Sequence, residues 1–284
     1  MYVPLSKTDV VILCGGLGVR LQTVVKDRPK VLAPIGELAF IDLLLGDLSR
    51  VGFRRFILCI GHLGEQVKEH VKKKYGKDPD VKILFSEEKT PLGTGGALKK
   101  ALPLISSDPF FVMNGDSFCP VNFSGLLRTH KKLAPVASFA LAVRAKTDGG
   151  TVICNDDLLI TAFHEKDLNT LARFVPPPSQ NSRSLGSQTS LVAGMNGRRI
   201  NPSRGVQYPA GKVGGFISAG IYLMGKEITV FFPQDKTFSL EYDVFPKLAE
   251  SGKCRGFLAK GELLDIGTPE RYQEACRRFD SHYV

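Results

Sequence analysis

Along the first half of the chain, short and wholly apolar runs alternate with longer amphipathic stretches, one pair every 25 to 30 residues or so. Residues 10–14 form an apolar, β-branched run closed by Gly15 and Gly16, which predicts a strand buried on both faces. Residues 40–51 carry apolar positions at helical spacing and stop at Gly52. A second buried strand is expected over 56–60, a helix over 65–75 closed by Gly76, and an alternating strand over 81–85. Gly93, Gly95 and Gly96 then break the chain before a helix reaching about residue 102. Strand 110–113 and helix 123–133 follow. This beat is that of βαβ crossovers, so an α/β fold with a mostly parallel central sheet is predicted.

The second half is less regular. A strong strand is expected over 136–143, a hairpin over 151–154 and 159–163, a strand over 215–224 and a helix within 238–248. A strand end at Asp265 precedes a Thr-Pro helix start. Between residues 168 and about 212 three consecutive prolines give way to Ser, Asn, Gln, Arg and Gly with little periodicity. That stretch reads as a polar insertion into one domain spanning 1–284.

Bulk properties exclude several classes. The chain has 284 residues and is 43% hydrophobic, enough for one large domain. Its six cysteines are scattered without a C-x-x-C pair, the usage of a reducing compartment without a disulfide framework or zinc site. No apolar run approaches a membrane span and no signal h-region precedes the first strand, so a cytoplasmic protein with no membrane partner is expected. The formal net charge is +10, but the cations are dispersed, and the densest run, Lys72 to Lys74, falls on a predicted helix as a solvated face. A modest positive field that attracts small anionic substrates fits the charge as well as nucleic acid does, and no nucleic-acid partner is expected.

The candidate chemistry concentrates after the first strand. Gly15, Gly16 and Gly18 let successive backbone N–H groups turn toward an anion, and a polyphosphate is the natural guest. Arg20 adds a planar fork of donors, and Lys30 adds a point charge behind Pro29. A dinucleotide fingerprint read from Gly16 meets Leu21 where its third glycine belongs, and no P-loop motif occurs. Asp116 follows strand 110–113 at the carboxyl edge of the sheet, well placed to hold Mg²⁺ on a triphosphate.

GGLGVRL followed by RPKVLAPIG, with PLGTGGAL further on, resembles the sugar-1-phosphate nucleotidyltransferases, and within them the heptose 1-phosphate guanylyltransferase branch. The resemblance implies a single Rossmann-like three-layer domain of the nucleotide-diphospho-sugar transferase type. It also implies transfer of a nucleoside monophosphate, GMP from GTP, to a heptose 1-phosphate with release of pyrophosphate. Arg20, Lys30 and Asp116 would be catalytic; Leu13, Gly15, Gly16, Gly18, Glu88, Gly93, Thr94 and Gly95 would hold the nucleotide. Glu165, Lys166, Ser218, Gly220 and Glu241 would hold the sugar phosphate, and Asp116 with Asp265 would hold Mg²⁺. The chain departs from the family pattern at Val19, Val31, Leu38 and Ser218. A uridylyl- or thymidylyltransferase and a non-catalytic nucleotide-sugar-binding paralogue remain the alternatives, and self-association into a homo-oligomer is left open.

Overall fold

The computed structural model describes residues 4–143, 151–164, 198–200, 207–209 and 216–280. Strand β1 (Val10–Leu13) lies at the centre of a nine-stranded sheet, with Val10, Val11 and Ile12 shut off from solvent. Strands β2 (Arg55–Ile60) and β4 (Phe110–Asn114) pair with it in parallel on its two sides, and β3 (Lys82–Glu87) continues in parallel outside β2. The apolar runs of β1, β2 and β4 follow from that position, because a strand flanked on both sides and covered on both faces has no polar side to show. Helices α1 (Phe40–Arg50), α2 (Gly64–Tyr75) and α3 (Gly93–Ala101) separate these strands in sequence.

Beyond β4 the sheet becomes mixed. Helix α4 (Phe123–Leu133) starts where the Asn122 side chain accepts from Gly125 N, satisfying an orphan donor of the first turn. It leads into β5 (Ala137–Ala142), and the hairpin β6 (Thr151–Cys154) and β7 (Ile160–His164) follows. Strand β8 (Phe216–Met224) pairs antiparallel with β4, β5 and β6, and its ladder with β5 shifts register between Ser218 and Tyr222. Gly220 sits in that irregularity at φ +67°, a conformation side chains rarely tolerate. Helix α5 (Phe245–Glu250), β9 (Cys254–Leu258), which pairs in parallel with β5, and helix α6 (Pro269–Asp280) complete the larger unit, Met1–Lys166 with Phe216–Val284. In the second unit, Asp167–Gly215, Arg198–Ile200 pairs antiparallel with Gln207–Pro209, a ladder the polar composition of the insertion did not predict.

Two aromatic clusters fix the packing. Phe53, Phe111 and Phe123 meet edge to face, with centroids 5.2, 5.3 and 5.4 Å apart. Phe139 and Tyr222, opposite each other on β5 and β8, gather Phe163 and Phe245. At the root of β1, the fully buried Asp9 carboxylate accepts from Ser106 N and Ser107 N and pairs with Arg55 Nε at 2.6 Å, clamping the turn before β4 to the first two strands.

The buried His130 on α4 bonds Ser138 through Nδ1 at 2.8 Å, and burial depresses its pKa to about 4. The unfolded chain protonates this imidazole at ~6.5 and the folded one resists until about 4. Its contribution is therefore complete above pH ~6.5 and is lost between there and pH ~4, by about 3 kcal/mol. Urea unfolding across that window should show this slope, and a His130→Gln variant should show a flatter one.

Candidate active site

At the carboxyl ends of the central strands, β1 pairs Leu13 with Cys59 and with Asn114, so the loops after β1, β2 and β4 rise side by side. Gly18 adopts φ +61° and opens a single helical turn, Val19–Leu21, whose buried Leu21 pins the loop while Arg20 stays exposed. Pro29, at φ −60°, leads into the turn Lys30–Leu32, where buried Val31 and Leu32 fix the backbone behind Lys30. Gly115 comes so close to β1 that an added Cβ would lie 2.8 Å from Leu13 O. Only glycine allows that approach, which carries Asp116 to the loop carrying Lys30.

These loops enclose a cleft of about 420 Å³ lined by Leu13, Gly15, Gly16, Gly18, Arg20, Lys30, Glu88, Gly93, Thr94 and Asp116, among others. That volume suits a small-molecule ligand. Lys30 Nζ lies 2.5 Å from Asp116 Oδ2, and Ser117 Oγ donates to Asp116 Oδ1 at 3.1 Å. Arg20 lines the cleft without an ion pair or side-chain hydrogen bond among the described residues. Cys14 also lines it, and burial, with the neighbouring Cys59 and Asp116, pushes its thiol well above the usual range.

Glu88 closes one wall. A Cβ on Gly15 would stand 2.6 Å, and one on Gly61 2.7 Å, from its Oε1, so both glycines make room for this carboxyl. Burial raises its pKa, partly offset by the N–H of Leu92, which donates to Oε2 at 3.3 Å.

Two expectations need correction. Gly93, Gly95 and Gly96 do not precede the helix; they form the first turn of α3, because the segment around Phe238 presses on it. Gly95 accordingly lies off the cleft wall: its N–H is bound to Phe238 O at 3.0 Å, and an added Cβ would fall 2.2 Å from the Phe238 ring. Gly93 and Thr94 do line the cleft.

A second recess, of about 190 Å³, is lined by Ser218, Gly220 and Glu241 together with Ser117, Phe163 and Tyr242. Glu241 accepts from Thr94 Oγ1 at 2.5 Å and Ser239 Oγ at 2.7 Å, which ties this recess to the first. Glu165 and Lys166 lie outside the described residues.

Asp265 is placed near Asp116 by backbone pairing. Leu264–Asp265 runs antiparallel to Ser117–Phe118, and Ile266 N donates to Asp116 O at 3.0 Å. Its carboxylate is held by Arg271 Nη1 at 3.0 and 2.9 Å and by Gly267 N, and it does not line the cleft. A Cβ on Gly267 would nevertheless sit 2.9 Å from Asp265 Oδ1 and 3.5 Å from Lys30 Nζ, so both groups border that glycine.

Sequence reasoning missed Asn114, which lines both recesses. It falls in the Asn-Gly-Asp run that ends strand 110–113, where the carboxylate of Asp116 carries the chemical signal and the amide two residues before it carries none.

Residues 9–281 match the family model described as nucleotidyl transferase. The chain belongs to this family. It is 29% identical to the D-glycero-alpha-D-manno-heptose 1-phosphate guanylyltransferase of Campylobacter jejuni, over 93% of this chain and 96% of that one. It is 27% identical to the enzyme of the same name from Aneurinibacillus thermoaerophilus, over 97% and 100%. The crystal structure of HddC from Yersinia pseudotuberculosis superposes with a TM-score of 0.71 at 28% identity, covering 96% of this chain and 99% of HddC, and HddC is also known complexed with GMP-PN. These matches establish the mixed, centrally parallel α/β fold and a nucleotidyltransferase activity. No helix among the described residues is long and apolar enough to cross a membrane.

Proposed function

We propose that this nucleotidyltransferase moves GMP from GTP to a heptose 1-phosphate, releasing pyrophosphate and leaving an activated sugar for glycan assembly. The base choice rests on Glu88. An ionised carboxylate accepts hydrogen bonds and donates none, and guanine offers two adjacent donors, N1–H and the N2 amino group. A carboxyl seated between Gly15 and Gly61 on the cleft wall suits that edge. The named relatives support the heptose as acceptor.

Two polyanions must meet, and unit charges ~4 Å apart repel by about 4 kcal/mol at an effective dielectric near 20. Arg20 and Lys30 would offset that repulsion, chiefly where charge accumulates around the α-phosphorus. The glycine loop would orient the triphosphate through its backbone N–H groups. An oxygen of the sugar phosphate attacks the α-phosphorus in line, a new P–O bond forms, and the bond to the β-phosphate breaks with its electrons leaving on pyrophosphate. The attacking oxygen is already anionic, so no general base is needed.

Nucleotidyltransferases generally use a divalent metal. The donor chemistry here fits Mg²⁺, which takes one or two carboxylates and fills its remaining positions with water and substrate phosphates. Asp116 and Asp265 would hold the ion, which when bound neutralises charge on the triphosphate.

Pyrophosphate release measured for each common nucleoside triphosphate against a panel of sugar 1-phosphates tests this reading. GTP with a heptose 1-phosphate should be fastest, and the absence of release with every pair would overturn it. Glu88→Gln places an amide donor opposite the guanine donors and should lower kcat/KM for GTP by about 10²-fold, the scale of a mispaired buried polar contact. The loss for UTP should be smaller.

A further inference from the structure

Asn114 stands on the wall shared by the two recesses, and its side-chain Oδ1 is closed off from solvent without a hydrogen-bond partner among the described residues. A buried, unpaired amide oxygen is costly, and chains retain one where a ligand or a function repays it. The opposite wall is shaped around the same side chain. Gly220 occupies a left-handed conformation, and a Cβ there would fall 2.9 Å from Asn114 Nδ2. Strand β8 thus gives up both a regular ladder and a side chain at the point where Asn114 needs space.

We infer that Asn114 positions the acceptor sugar, its carboxamide engaging a ring hydroxyl at the junction between the nucleotide cleft and the second recess. A hydroxyl donates and accepts, so it can satisfy either edge of the amide. A half-turn about the last torsion carries Oδ1 to the Gly220 side, and that torsion is soft. The surroundings agree, because Glu241 and Ser218 bring further oxygens to the recess while Phe163 supplies an apolar wall, a lining suited to a polyol ring. A ribose hydroxyl of the nucleotide is the competing partner, since Asn114 borders that cleft as well.

This inference rests on the sugar-phosphate reading, and two measurements separate them. The first is steady-state turnover of wild type and Asn114→Ala with the best substrate pair from the panel. The second is calorimetric binding of the same sugar 1-phosphate in the presence of a non-reacting GTP analogue. Asn114→Ala should raise KM and Kd for the sugar 1-phosphate about tenfold, the upper range for one hydrogen bond, with the analogue's own Kd changed less than twofold. Asn114→Ser, which keeps a donor and an acceptor, should recover part of the loss, and thermal unfolding checks that both variants fold. Unchanged sugar-phosphate constants, or a loss confined to the nucleotide, would overturn the assignment while leaving the transferase standing. If another base or sugar proves preferred, Asn114→Ala must still weaken whichever sugar 1-phosphate reacts. A wild-type chain that binds no sugar 1-phosphate at all overturns the assignment and the function together.

Discussion

Replacing Arg20 or Asp116 by alanine should leave a folded protein whose turnover drops by ~10³ or more, the scale seen when a charge-stabilising arginine is removed from a phosphoryl-transfer site. Arg20 is exposed at the cleft and makes no ion pair among the described residues, so its loss should cost the fold nothing measurable. The case of Asp116 is less simple. Its partner Lys30 is largely buried, with 13% of the side chain exposed, and an unpaired ammonium there carries a penalty of its own. Asp116→Asn therefore serves as the companion variant, keeping the shape and a weak acceptor. Circular dichroism with thermal unfolding would separate lost chemistry from lost structure, and pyrophosphate release would measure the former. Wild-type turnover in Arg20→Ala or Asp116→Ala would show that the site has been misplaced.

Phe111→Ala should destabilise the chain by about 3–5 kcal/mol, the range for removing a fully buried aromatic side chain. Phe111 has no exposed surface, lies on the central strand β4 and meets both Phe53 and Phe123 edge to face. Truncation leaves a cavity bounded by two rings whose positions depend on the third. Neither Phe53, which precedes β2, nor Phe123, which opens α4, can close it without moving its own element. The midpoint of urea unfolding should fall with little change in slope, while the Michaelis constants of the surviving folded fraction stay close to those of wild type. A loss below about 1 kcal/mol would mean that the cluster relaxes freely and that its packing is not what holds α4 against the sheet.

Much of the framework could be read directly. Helix α4 begins at Phe123 and ends at Leu133 as expected, because an Asn cap and a strong periodicity act together there. The cations and glycines of the first loop converge as their spacing implied, since buried Leu21, Val31 and Leu32 leave the loop little choice. What escaped detection depends on distant partners. Strand β9 contains Arg255 and Gly256 and looks too polar and broken to be a strand. It forms because β5 offers a parallel partner and because Leu141 would come within 2.3 Å of any Cβ at Gly256. The first turn of α3 is rich in glycine, a poor helix former, yet the close approach of Lys236 O and Phe238 selects it. Gly95 answers to the same packing, because a Cβ there would meet the Phe238 ring.

The clamp at Asp9 has a thermodynamic consequence for the far end of β1. With the root of that strand tied to Ser106, Ser107 and Arg55, the sheet cannot yield there when a triphosphate arrives. Adjustment falls on the few residues between Leu13 and Val19, and fixing one residue's backbone takes about 1–2 kcal/mol of entropy. Ordering that loop of five residues therefore takes about 5–10 kcal/mol, which the contacts of its backbone N–H groups with the phosphates have to supply before the reacting atoms are held in line.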